Sequence, residues 1–300
     1  MLKIAHGPWY AHPLPEGHRF PMMKYELIPE QLLREGTCTA ENFFEPGELD
    51  EKWILGVHEA SYWQDLKTLN LSPRMVRRIG FPLSAELVHR ETTIAQGTLS
   101  CCYHALANGV ALNVAGGTHH AFPDKGEGFC LLNDVGIAAQ FLLTQHLASR
   151  ILVIDLDVHQ GNGTAVMFQQ EPRVFTFSMH GRDNYPLRKE VSDLDIALQT
   201  GTSDEEYLRI LDETLPILFK KHRPDFAFFV AGVDVLATDK LGHLALTREG
   251  CRLRDERVLS QCQQAGVPLV ITMGGGYSVR LADVVEAHCN TFRLAQAMFF

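Results

Sequence analysis

The sequence predicts an α/β fold, a single-domain three-layer αβα sandwich around a mostly parallel central sheet. Three observations predict it. Short apolar runs of strand length recur along the chain, stretches of helical length separate most of them, and residues able to bind metal or move protons gather just after the runs.

Taken in order, the runs are "VALNVA" from 110, "ILVIDL" from 151, "RVFTFS" from 173, "FAFFVA" from 226 and "PLVITM" from 268. They are continuous stretches, as expected of strands covered on both faces in a parallel sheet. Between them, 134–147 ("DVGIAAQFLLTQHL") has helical length, with Asp134 as its expected N-cap, and 203–221 opens "SDEEY" in the manner of a capping box. Cys101 and Cys102 fall in a further helical stretch, where both thiols read as small core residues.

Bulk properties agree with one folded unit over 1–300. The 300 residues are 46% hydrophobic and 21% charged, enough for a sizeable core, and no linker, repeat or low-complexity tract divides them. A formal charge of -9, from 27 Lys+Arg against 36 Asp+Glu, argues against a general nucleic-acid binder. The start, "MLKIAHGPWY", lacks the apolar stretch of a signal peptide, and no run approaches the roughly 20 apolar residues that span a bilayer. Seven cysteines without a CxxC pair fit a reducing compartment, so the expected location is the cytoplasm.

The segment after each run carries the functional signal. The runs lead into "GGTHHAF", "DVHQGNG", "MHGRDNYP", "GVDVLATDKLG" and "GGGYS". In a parallel sheet these segments share the carboxyl edge, where such folds bind ligands. Within "DLDVHQGNG", Asp155, Asp157 and His159 occupy alternate positions, which in an extended segment lie on one face with Cα atoms about 6.6 Å apart. Carboxylates and an imidazole together in an apolar setting are costly unless a cation compensates them. Asp157 and His159 form the expected ligand pair, with Asp234 of "AGVDVL" as the third donor from another strand end. An O, N, O set leaves a coordination position open, as a catalytic site requires. By itself the motif also fits magnesium and dinuclear manganese sites.

His119 and His120 follow Gly116 and Gly117. Neighbours on a strand point to opposite faces, so both serve one site only if the backbone turns there, which the glycines favour. Beside a metal, the pair reads as acid-base machinery. The triple glycine around Gly275 forms a loop able to bring backbone close to a small substrate, and the hydroxyl of Tyr277 after it is a natural donor to a developing oxyanion.

With these motifs assembled, the chain resembles the zinc-dependent histone deacetylase family of the arginase/deacetylase superfamily, from "HPLPEGHRFPMMKY" to "GGGY". "DLDVHQGNG", "GTSDEEYL" and "DKLGHLAL" look closest to the class IV deacetylases and their bacterial kin. The resemblance implies an amidohydrolase that acts on N-acyl-lysine in proteins or on small acylated amines. It implies one Zn2+, or Fe2+, held by Asp157, His159 and Asp234, with Tyr277 as the transition-state tyrosine. His120 takes the place of the general base, and His119, held by Asp155, contributes mainly electrostatics. A structural K+ would lie near Asp155 and Ser178 and the carbonyls of Asp157, His159 and Met179. Phe129 and Tyr185 match the walls of an acyl-lysine channel, where Gly128 would accept a hydrogen bond from the substrate amide. Asn162 stands where class I enzymes carry an aspartate, and Tyr185 also departs from the class I pattern. Glu16 and His18 fall in the region that resembles the channel entrance. A dinuclear manganese ureohydrolase and a non-catalytic acyl-amine binding module are the competing readings.

Overall fold

The computed structural model describes residues 1–300. Its strands are β1 (Lys3–Ala5), β2 (Phe43–Phe44), β3 (Val110–Asn113), β4 (Ile151–Asp155), β5 (Val174–Gly181), β6 (Leu194–Leu198), β7 (Phe226–Val230) and β8 (Leu269–Thr272). They form one sheet in the order β2-β1-β3-β8-β7-β4-β5-β6. Every pairing is parallel, so the sheet is wholly rather than mostly parallel. All the predicted apolar runs are strands, and the central ones, β3, β8, β7 and β4, are buried at each residue. The short β1 and β2 and the half-buried β6 lie toward the edges and carry no comparable apolar run.

The helices are α1 (Lys24–Arg34), α2 (Glu51–Ile54), α3 (Ala60–Lys67), α4 (Pro73–Ile79), α5 (Ala85–Asn108), α6 (Asp134–Thr144), α7 (Asn162–Phe168), α8 (Asp204–His222), α9 (Arg248–Ala265) and α10 (Leu281–Phe299). One group is built on α5, which packs against β1, β3, β8 and α6, and it buries Cys101 and Cys102 as expected. A second group joins α1, α10, α9 and α8 in series. No helix is long and apolar enough to cross a membrane.

Two capping expectations need correction. The cap of α6 is Asn133, whose side chain accepts from the Gly136 amide at 2.8 Å, and Asp134 is the first helical residue. Its carboxylate is directed at the 116–118 loop instead. At α8 the Ser203 side chain makes no capping hydrogen bond. The neighbouring Asp204 accepts from the Thr247 amide at 2.8 Å and from its hydroxyl at 2.6 Å, tying α8 to the start of α9. At both helix starts the acidic first residue bonds a distant loop rather than its own helix.

Arg254 of α9 fixes the sheet edge from below. It is fully buried, and its Nη1 donates to the Leu156 carbonyl at 3.1 Å and the Gly232 carbonyl at 2.6 Å. Asp255, itself bonded by Thr291 at 2.7 Å, compensates its charge. One guanidinium therefore holds together the loops that leave β4 and β7, which carry the residues of greatest chemical interest.

Candidate active site

The β4 strand ends at Asp155, and the chain then bends. Asp157, Val158 and His159 are not an extended strand, so the expected alternation gives way to successive turns closed by side chains. The Asp157 amide donates to Asp155 Oδ1 at 3.2 Å, and the His159 amide donates to Asp157 Oδ1 at 2.9 Å. Asp side chains favour such bonds two residues along. The bend draws Asp157 and His159 together and toward Asp234, which enters from the loop after β7 and accepts from the Val158 amide at 3.0 Å. Ligand atoms of Asp157, His159 and Asp234 all lie within 4.8 Å of one another, and all three residues are buried.

This set fits a divalent cation. His159 Nδ1 lies 3.0 Å from Asp157 Oδ1 and 3.2 Å from Asp234 Oδ2, yet Asp234 Oδ2 has no hydrogen-bond partner. Burial and the Asp157 charge push the Asp234 carboxyl up to about 7. Burial opposes protonation of His159, but its contacts with Asp157 and Asp234 prevail and push it up to about 10. Two buried carboxylates facing one imidazole carry more negative charge than a single proton balances, and a divalent ion corrects that. Gly275 completes the enclosure: its amide donates to Asp157 Oδ2 at 2.7 Å, and a Cβ there would stand 2.0 Å from Asp234 Oδ2.

The histidine pair lies beside this set, with ring centroids 4.2 Å apart. Each Nδ1 faces an oxygen: His119 toward Asp155 Oδ2 at 2.7 Å, His120 toward Asn162 Oδ1 at 2.6 Å. Both oxygens can only accept, so each Nδ1 carries the hydrogen and each Nε2 lone pair is free in the neutral ring. The two rings differ in proton affinity. Desolvation lowers His119, but Asp155 and Asp157 outweigh it and raise it to about 9. Burial and the neighbouring His119 and His159 hold His120 well below the usual range.

Asp134 makes the turn before the pair. Its carboxylate accepts from the Gly117 amide at 3.1 Å, the Thr118 amide at 2.8 Å, and the hydroxyls of Thr98 and Thr118, each at 2.6 Å. Replacing it with Ala would orphan several buried donors, at about 1 to 3 kcal/mol each before relaxation. Asp134→Ala is expected to lower thermal stability by several kcal/mol and to reduce turnover, whereas Asp134→Asn keeps part of both. Calorimetry checks this, and an unchanged melting temperature for the Ala variant would refute the assignment.

The third part is the loop after β8. Asp239, from the "DKLG" segment, accepts from the Tyr277 amide at 2.6 Å and from the Leu241 and Gly242 amides at 2.8 and 2.9 Å. The Tyr277 ring lies 6.0 Å from Phe20 and 5.9 Å from Phe129. Phe129 and Tyr185 flank a cavity of about 420 Å³ that reaches His120 and His159. Gly128 and Phe129 both adopt positive φ, 57° and 67°, and a Cβ on Gly128 would meet His120 Cδ2 at 2.6 Å. The left-handed backbone at Phe129 is strained for a residue that carries a side chain.

Of the remaining predicted residues, Ser178 stands opposite Asp155 in the β4-β5 register, with its hydroxyl 3.0 Å from His180 Nδ1, and Met179 is buried beside it. His18 is engaged locally, bonding the Gly80 carbonyl at 2.9 Å and the Phe20 amide at 3.2 Å, and Glu16 is exposed. Arg19 and Arg78 line the cavity mouth instead. Asp134, Asp239, Arg254 and Glu127 were not anticipated at the site. The aspartates sit inside the quoted motifs and Glu127 directly precedes Gly128 and Phe129, which is the available signal; Arg254 carries none.

A parallel αβα sandwich with these groups at its carboxyl edge has the fold of the arginase/deacetylase superfamily. A histone deacetylase domain matches residues 18–292, so the chain belongs to the histone deacetylase family and is a hydrolase of amide bonds. It is similar to an uncharacterised protein of Picosynechococcus sp., 45% identical over 296 residues that cover 99% of each chain. It also resembles histone deacetylase 2 of Arabidopsis thaliana, 29% identical over 277 residues, covering 89% of this chain and 72% of that protein. Among solved structures, a histone deacetylase homologue complexed with SAHA superposes with a TM-score of 0.83 at 21% identity, covering 99% of this chain and 83% of that one.

Proposed function

We propose that residues 1–300 form one catalytic domain, a zinc-dependent deacylase of N-acyl-lysine in proteins or of small N-acyl amines. The observation that carries this is the convergence of Asp157, His159 and Asp234, of which His159 also lines the cavity walled by Phe129 and Tyr185. Aromatic walls suit an aliphatic chain that presents its amide to the donors below. Asp157, His159 and Asp234 would hold one Zn2+, or Fe2+. When bound, the ion supplies electrophilic polarisation of the acyl carbonyl and makes a water more acidic.

The chain's own residues supply the proton traffic. His120, neutral and carrying its hydrogen on Nδ1, has Nε2 free to take a proton from the attacking water. Tyr277 donates to the oxygen that becomes negative as the new C–O bond forms. The proton on His120 then passes to the departing amine nitrogen as the C–N bond breaks. His119, paired with Asp155, adds positive charge beside the developing oxyanion. Gly128 offers its carbonyl to the substrate N–H. We assign Gly275 to the substrate floor as well as to the ligand cage, since it lines a smaller pocket that shares His120, His159 and Tyr277 with the larger cavity. Asp155 and Ser178, with the carbonyls of Asp157, His159 and Met179, form the proposed K+ site, supported by the β4-β5 register that faces Asp155 with Ser178.

The test is a side-by-side assay of acyl-lysine peptides of increasing chain length and acetylated polyamines, together with elemental analysis. One metal per chain and chelator-sensitive turnover of at least one substrate are expected. Absence of turnover by fully metal-loaded protein on all of them would favour a binding module. A dinuclear manganese centre requires a second donor set, whereas the structure gathers one metal-capable group, Asp157, His159 and Asp234.

A further inference from the structure

We infer that Glu127 is a positioning residue that fixes which nitrogen of His120 carries the hydrogen, acting through the Asn162 amide. This rests on the proposed role of His120 as the base. Asn162 Nδ2 donates to Glu127 Oε1 at 2.8 Å, and Asn162 Oδ1 accepts from His120 Nδ1 at 2.6 Å. Glu127, Asn162 and His120 are all buried, with 4%, 2% and 4% of their surfaces exposed.

A primary amide is nearly symmetric in shape but opposite in polarity at its two ends. An asparagine beside an imidazole can therefore present either its oxygen or its NH2 group. If Asn162 turned its NH2 toward His120, Nδ1 would have to accept, the hydrogen would move to Nε2, and the nitrogen facing the cavity could no longer take a proton. An aspartate at 162 would leave no such choice, because both of its oxygens accept. Glu127 makes the choice for asparagine: a carboxylate only accepts, so it draws the NH2 group to itself and leaves Oδ1 for the histidine.

Glu127 is itself firmly held. Arg78 Nε lies 3.1 Å from Glu127 Oε2, the Arg78 carbonyl accepts from the Gly128 amide at 3.1 Å, and the Glu127 carbonyl accepts from the Cys130 amide at 3.0 Å. Because Arg78 balances the charge of Glu127, the carboxylate's influence on His120 is mainly orientational. The same carboxylate, after burial, raises Tyr185, so it also borders the cavity wall.

The experiment is a double-mutant cycle read by nitrogen NMR of the imidazoles and by kinetics. Glu127→Gln is nearly isosteric, and its amide can pair with Asn162 in either orientation. It is expected to shift His120 from a single Nδ1–H tautomer to a mixture and to lower kcat about tenfold, the lower end for an outer-sphere partner, with KM and metal content little changed. In the Asn162→Asp background no amide remains to flip, so adding Glu127→Gln should leave the tautomer at Nδ1–H and kcat no lower than in Asn162→Asp alone. Because Glu127→Gln also relieves a carboxylate–carboxylate contact in the Asn162→Asp background, the deciding readout is the tautomer: a His120 that stays wholly Nδ1–H in Glu127→Gln alone would overturn the inference. The NMR readout needs no turnover, so it separates failure of this inference from failure of the proposed reaction.

Discussion

Asp157→Ala is expected to yield a protein that retains no stoichiometric metal and has no measurable deacylase activity. The carboxylate is one of three donors gathered within 4.8 Å, and it also receives the His159 amide at 2.9 Å and the Gly275 amide at 2.7 Å. Alanine removes the donor and releases both loops that it joins. His159 and Asp234 alone are a poor site for zinc, whose sites ordinarily take three protein ligands even when catalytic. Elemental analysis and a zinc-dependent thermal shift provide the check, since a ligand that binds only the folded state raises its melting temperature. The parent protein should gain stability with added zinc, and the variant should not. An inactive variant with one full equivalent of metal would remove Asp157 from the ligand set.

Tyr277→Phe is expected to lower kcat by about 10² to 10³, the usual cost of one oxyanion donor, with metal content and melting temperature unchanged. The ring would keep its contacts with Phe20 and Phe129, and the Tyr277 amide would keep its bond to Asp239. Only the hydroxyl would be lost. Burial and the nearby Asp234 and Asp157 carboxylates hold that hydroxyl well above the ordinary phenol range, so it stays protonated and able to donate at neutral pH. Equal turnover by the two proteins would exclude Tyr277 from the chemistry. A parallel loss of metal would make it a structural residue of the loop.

These two variants probe groups that stood out in the linear sequence, because each lies at the end of an apolar run where polar residues need a reason. The groups that orient them did not stand out. Asp134 reads as a helix-start residue until its bonds to Gly117 and Thr118, 17 and 16 positions away, are seen. Arg254 lies 98 positions from Leu156, on a helix with no motif of its own. Glu127 meets Asn162 across 35 positions, and nothing around either residue announces the other. The fold shows the same division. Continuous apolar runs marked β3, β4, β5, β7 and β8, whereas β1 and β2 span only three and two residues and are strands because neighbours pair with them.

The sequence by itself determined the parallel α/β architecture and the residue types at its carboxyl edge, because burial on both faces and strand-end chemistry are local properties that leave a local pattern. Only the tertiary structure decided that Asp234 joins Asp157 and His159. It also decided that Asp134 turns from the start of α6 to the 116–118 loop, and that Glu127 stands behind Asn162. Hydrogen-bond donors and acceptors distant in the chain find one another only when the packed layers bring them within about 3 Å, and no pattern of neighbours along the backbone encodes that distance.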